Sequence, residues 1–260
     1  MLDLARQRRY FHSRMNFSPA FAWPSTPNVS AVSRALPVYF DTLFAAYGPQ
    51  GWWPGRSRFE TIAGAILTQN TAWANVELAL RNLRSAKLLS AAAIREVEQP
   101  ALEKLLRPAG YFRQKARTLK GFAEFLHHDF AGSLAKMFRT PSEELRPRLL
   151  ALRGIGPETA DCILLYAGKQ PVFVVDAYTR RMLERHGLAA VGTDYEEIRR
   201  LFQSSLPHDP QLFNEFHALI VHIGKAFCRK REPRCAECPL REFLPATPGA
   251  RVRHGEAVCA

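Results

Sequence analysis

The chain has 260 residues, 47% of them hydrophobic, which is enough for a substantial core in one large or two small units. Lys and Arg number 36 against 24 Asp and Glu, a net charge of +12. A globular protein this basic points to a polyanionic partner, nucleic acid first and a membrane surface second. No apolar stretch is long enough to span a bilayer. The basic start MLDLARQRRYFHSR leads into no apolar signal core. The expectation is a cytoplasmic, nucleoid-associated monomer with no membrane partner.

Residues 1–30 carry Pro19, Pro24 and Pro27 and no periodic apolar pattern, and read as a flexible arm. From residue 31 the pattern is helical nearly throughout, so the fold class is all-α. Val32, Leu36, Tyr39, Phe40, Leu43 and Phe44 set the first stripe. Similar stripes run over 57–68, 72–83, 114–126, 142–152, 158–167, 177–186, 194–205 and 211–224. PVFVVD at 171–176 is the one strand-like run. The segment 245–260 reads as a loose tail.

The most informative segment is Thr140–Ala167. Thr140 offers an N-cap, Pro141 a first helical residue and Glu143 a capping box. The helix that follows stops at Gly154-Ile155-Gly156, and Pro157 restarts another. Two glycines permit a sharp turn, and Ile155 between them can plug the core. Backbone N–H groups at such a turn can face a phosphate oxygen, a contact that reads charge and not base sequence. An ordinary helix-turn-helix connection is the bland alternative, but the basic charge favours DNA. Asp176, at the end of PVFVVD and three residues before Thr179, reads first as a helix N-cap. A carboxylate fixed in that way stays ionised and aimed, and can stabilise an oxocarbenium-like sugar or orient a water.

The run LRGIGPETA followed by VVDAYTRR resembles the endonuclease III branch of the helix-hairpin-helix DNA glycosylase superfamily. AGAILTQNT at 63–71 and the late cysteines stand in the same order, so the resemblance covers roughly residues 31–240. It implies two helical domains flanking a DNA cleft. One is discontinuous (31–55 and 168–244) and carries the aspartate and a cysteine-rich loop. The other, 56–167, ends in the hairpin. It further implies that Asp176 is catalytic, that Gln69 with Asn70 meets the DNA where the base is flipped out, and that the Gly154, Ile155 and Gly156 amides hold a phosphate. The implied partner is double-stranded DNA containing a damaged base.

Two departures from the family matter. Lyase members carry a Lys two residues after the second hairpin Gly; here that residue is Glu158, which cannot form an imine. Lys115 and Lys169 exist, but nothing in the sequence places them at the site. A monofunctional, water-using enzyme is therefore expected. The five cysteines stand at 162, 228, 235, 238 and 259, no secreted disulfide pattern. Cys228, Cys235 and Cys238 match three ligands of the family's 4Fe–4S loop. The fourth position is Leu244, leaving Cys259 as a distant substitute. A cluster ranks ahead of no metal. Zinc, with His222 or His254 as a fourth donor, ranks third.

Trp52 and Trp53 sit in PQGWWPG, and Trp73 follows LTQNT. Ordinary packing is one reading of these rings. The other is a stacking pocket for a cationic, alkylated purine. The WWP loop and the aromatic after LTQNT are similar to the 3-methyladenine glycosylase branch of the family. That implies Trp52 and Trp73 as stacking rings and Trp53 and Pro54 as pocket wall. The rivals are removal of oxidised pyrimidines with lyase activity, a mismatch-specific glycosylase, and a non-catalytic helix-hairpin-helix DNA-binding protein.

Overall fold

The computed structural model describes residues 29–245. The arm expected at 1–30 lies almost wholly outside them, as do the tail after residue 245, Cys259 and His254. Twelve α-helices make up the described chain, and among the described residues there is no strand. They are α1 (Val29–Tyr47), α2 (Arg58–Leu67), α3 (Trp73–Ser85), α4 (Ala91–Glu96), α5 (Gln99–Leu106), α6 (Phe112–Phe130), α7 (Leu134–Met137), α8 (Ser142–Leu150), α9 (Pro157–Cys162), α10 (Ala177–Arg185), α11 (Tyr195–Ser205) and α12 (Pro210–Ala226). No helix among the described residues is long and apolar enough to cross a membrane.

Helix α1 packs against α11 and α12, so the start of the described chain returns to its end. Helices α4 and α5 pack on the long α6, and α2 lies on α3 and α6. Tyr39, Leu43, Ile62, Ile66, Phe122, Phe173, Phe202, Phe213 and Phe216 are fully enclosed. Phe173 and Phe202 stack with centroids 3.8 Å apart. After Cys162 the helix loosens into a π turn, Ile163–Ala167. Every residue of that turn is buried, and it touches both α2 and α12.

Two local expectations change. Residues 171–176 are extended but pair with no strand. Val172, Phe173, Val174 and Val175 are all buried, so both faces of the run are covered by helices. Side chains of α11 supply what a ladder would have supplied: the Phe173 N–H donates to Gln203 Oε1 and the Val175 N–H to the Tyr195 hydroxyl, each at 3.3 Å. At the hairpin entrance, Pro141 rather than Thr140 is the N-cap of α8, and no side chain caps that end. The Thr140 carbonyl instead accepts the Gln170 amide at 2.8 Å.

Candidate active site

The turn Gly154-Ile155-Gly156 joins α8 to α9. Gly154 has φ +88°, and a Cβ there would meet Thr118 Oγ1 at 2.2 Å, so no side chain fits. Ile155 is 4% exposed and plugs the core as its apolar character requires. Its N–H is spent on the Leu152 carbonyl at 3.0 Å. The Gly154 and Gly156 amides have no acceptor among the described residues. Beneath the turn, Arg146 of α8 grips the fully buried Asp161 of α9 at 2.6 and 3.1 Å and reaches Glu196 at 2.5 Å. Tyr195 adds a hydrogen bond to Asp161 at 2.8 Å. Burial pushes the Asp161 carboxyl up, and Arg146 opposes that rise.

The loop after α2 is tied to the turn. Gln69 donates through its amide to the Gly154 carbonyl at 2.8 Å and to Thr159 Oγ1 at 2.9 Å. Asn70, with φ +51°, is exposed beside it. Lys115 lies beneath, 3% exposed, its ammonium shared among the Leu67 carbonyl (2.8 Å), Thr71 Oγ1 (2.6 Å) and the Ala109 carbonyl (2.7 Å). Burial lowers its pKa to about 8.

Asp176 caps α10. Its Oδ1 accepts from the Thr179 N–H at 2.8 Å and from the Thr179 hydroxyl at 3.0 Å, the cap that the spacing called for. Its Oδ2 faces His217 Nε2 of α12 at 3.6 Å. Burial alone would raise the carboxyl; His217 and the two Thr179 hydrogen bonds outweigh it and hold Asp176 below the usual carboxylate range. Glu158 lies within electrostatic reach. Desolvation first, and the Asp176 charge second, raise its pKa to about 7, although the residue keeps a solvent-exposed side.

The three tryptophans come together. Trp53 lies 5.0 Å from Trp73 and 5.8 Å from Trp52, edge-on to both, and 5.0 Å from Tyr166. Trp52 and Trp73 thus meet through Trp53 and not directly. Gly64 of α2 permits this, since a Cβ there would stand 3.3 Å from the Trp53 ring. Lys225 Nζ sits 5.6 Å over Trp52, and the Trp73 indole donates to Glu77 at 2.9 Å. Trp53, Pro54 and Trp73 line a groove of about 320 Å³ together with the charged Arg56, Glu60, Glu77, Arg81 and Arg84.

Cys228, Cys235, Cys238 and Leu244 line one cavity. Cys228 Sγ accepts from Arg185 at 3.1 Å. His222 packs on Tyr47 with the rings tilted by 34° and centroids 4.3 Å apart, and it is not part of that cavity's lining. Among the described residues, no three potential ligands are placed to hold a metal ion. The described residues supply three of the four thiolates that a 4Fe–4S cubane requires, and Cys259 lies outside them.

The sequence profile of the HhH-GPD superfamily of base excision DNA repair proteins matches residues 63–208. The chain belongs to that superfamily. MJ1434 of Methanocaldococcus jannaschii, whose name assigns it provisionally to DNA repair glycosylases, is 44% identical over 206 residues, 78% of this chain and 93% of its own length. Endonuclease III of Sulfolobus acidocaldarius is 29% identical over 189 residues, 72% of this chain and 82% of its own. Among solved structures, the H. pylori 3-methyladenine DNA glycosylase MagIII bound to 1,N6-ethenoadenine superposes with a TM-score of 0.64 at 30% identity. The alignment covers 76% of this chain and 98% of MagIII. An endonuclease III–DNA complex gives a TM-score of 0.70 at 21% identity, a likeness of fold, over 82% of this chain and 94% of that one.

Sequence reasoning missed Tyr166 and His217. Tyr166 donates or accepts at His217 Nδ1 over 2.6 Å, fully buried, 51 residues apart in the chain. Each looks like a core residue on the apolar face of its own helix, and no local spacing marks either.

Proposed function

We propose that this DNA glycosylase is monofunctional and hydrolyses the N-glycosidic bond of an alkylated purine of the 3-methyladenine kind in duplex DNA. Duplex binds as a partner of the monomer along the cleft between residues 56–167 and the two flanking segments, with the Gly154 and Gly156 amides on a phosphate and Gln69 and Asn70 near the vacated stack. The observation that carries the reading is Asp176. It is anchored through one oxygen, kept ionised, and held at the start of a helix. As the glycosidic bond breaks, positive charge grows on the sugar, and a fixed carboxylate stabilises it with no reorganisation. The same carboxylate orients the attacking water and takes its proton. The purine leaves with the bond electrons. Its positive charge before cleavage makes it a good leaving group, and aromatic walls such as Trp52, Trp53 and Trp73 suit it.

Glu158 supports hydrolysis over strand cleavage, since a carboxyl cannot form a Schiff base. Lys115 supplies no substitute: its ammonium is committed to three acceptors. The MagIII likeness favours the alkylpurine class, because the base bound in that structure is an etheno-adduct of adenine.

A panel of damaged duplexes, assayed with and without hot alkali, tests the proposal. Strand breaks should appear only after alkali, with methylated purines released ahead of oxidised pyrimidines. Borohydride should trap no protein on the DNA. Breaks without alkali, or a trapped adduct, would overturn the hydrolytic reading. Preferential release of oxidised pyrimidines would overturn the substrate class.

A further inference from the structure

Asp176 has two oxygens, and Thr179 accounts for one. The second, Oδ2, faces His217 Nε2 at 3.6 Å, and that nitrogen is buried with no hydrogen-bond partner. The opposite ring nitrogen, Nδ1, is engaged by the Tyr166 hydroxyl at 2.6 Å. The Trp52 indole N–H, also buried and lacking an acceptor at hydrogen-bonding distance, lies beside that same hydroxyl.

The donor inventory orders these groups. An indole N–H only donates, so the tyrosine oxygen is the acceptor available to it. The Tyr166 proton then goes to His217 Nδ1, which must be the unprotonated nitrogen. The imidazole proton is left on Nε2, aimed at Asp176 Oδ2. A gap of 3.6 Å is longer than a hydrogen bond, and such contacts commonly tighten only when the substrate is in place.

We infer that His217 is a positioning residue for Asp176, its tautomer set by Tyr166 and Trp52, and that its Nε2–H fixes the second carboxylate oxygen against the reacting sugar. The Trp52 end of the chain faces the aromatic wall, so the ring that borders the base and the carboxylate that serves the sugar share one buried line of donors. The inference rests on Asp176 being the catalytic carboxylate.

The test uses His217→Leu, His217→Gln and Tyr166→Phe, with Asp176→Asn as reference. Single-turnover base release is measured on duplex DNA treated with a methylating agent. Affinity is measured on a duplex carrying a non-hydrolysable abasic-site analogue. His217→Leu should release bases about 100-fold more slowly, the scale of a misplaced reacting group, with affinity unchanged. Gln can present an amide N–H close to where Nε2 stands, and should recover at least about tenfold of that loss. Tyr166→Phe should slow release about fivefold, the worth of one hydrogen bond, at unchanged affinity. Wild-type rates in His217→Leu, or a Gln variant no faster than the Leu variant, would overturn the inference. So would affinity falling in step with rate. Should His217→Leu not fold, the Gln and Phe variants decide alone: a Gln variant retaining at least about a tenth of the wild-type rate supports the inference, and one as slow as Asp176→Asn overturns it. An active Asp176→Asn would remove the mechanism itself; an inactive Asp176→Asn beside a fully active His217→Leu would remove only the role of His217.

Discussion

The glycine hairpin and the cysteine loop are both sharp connections beside helices, and they are held in opposite ways. The hairpin is fixed from inside. Asp161 is fully buried with Arg146 and Tyr195 on it, Thr118 fills the space a Cβ would need at Gly154, and Gln69 binds the Gly154 carbonyl. The cysteine loop is fixed from outside, by arginines of α10. Arg181 donates to the Cys228 carbonyl at 2.5 Å, and Arg185 to the Arg229 carbonyl at 2.6 Å and to Cys228 Sγ. Phe243 tethers the far end through its ring on Tyr39 at 5.1 Å. A connection held by enclosed polar partners has no tolerance for losing one of them, whereas water can replace a solvent-facing arginine.

The largest effect should follow Arg146→Leu, which leaves Asp161 charged and enclosed without its partner; we expect a loss of about 3–5 kcal/mol in urea denaturation. A loss under 1 kcal/mol would mean that Tyr195 and solvent suffice. Gly154→Ala should cost about 2–3 kcal/mol, because it adds both an unfavourable φ and a clash with Thr118, and should also weaken binding to undamaged duplex. On the other side of the comparison, Arg185→Ala should cost only about 1 kcal/mol. Incubation with a chelator probes the same loop. A drop above about 2 kcal/mol on chelation would show a bound metal, and not the arginines, to be its main support.

The smallest effect concerns Glu158. Its carboxyl is raised from 4.5 to about 7, so between those values the folded chain keeps a proton that the unfolded chain has released. Stability therefore falls as pH rises through that window, and the loss is complete above it. Glu158→Gln removes the loss. Its Tm should exceed that of the unaltered protein by about 1 °C at pH 8, and the difference should vanish below pH 4.5. Calorimetry at several pH values reads this directly, and a difference of opposite sign would place the carboxyl's pKa below its ordinary value.

Much of this comparison was legible in the residues. The stripes from Val32 onward gave helices within a few residues of those seen, because an amphipathic helix on a core must repeat at that period. Helices α4, α5 and α7 escaped, being short and contributing few buried side chains: Ile94 for α4, Leu102 and Leu106 for α5, Met137 for α7. The strand-like reading of 171–176 failed because β-branched residues also suit an extended run enclosed on both faces, and sequence cannot say whether a second strand exists. At the site, Asp176 announced itself through its cap spacing. His217 could not, since what matters is which ring nitrogen faces Oδ2, a fact created by α12 packing on the π turn.

The enclosed run from Val172 to Val175 works as a ruler. Each extended residue advances the chain by about 3.3 Å, close to the 3.6 Å that separates Asp176 Oδ2 from His217 Nε2. One inserted or deleted residue would shift Asp176 and the start of α10 together against His217 of α12 and swap which side chains point to which wall. One apolar residue can stand for another along this stretch with little effect on the site, whereas a change in its number of residues moves the carboxylate.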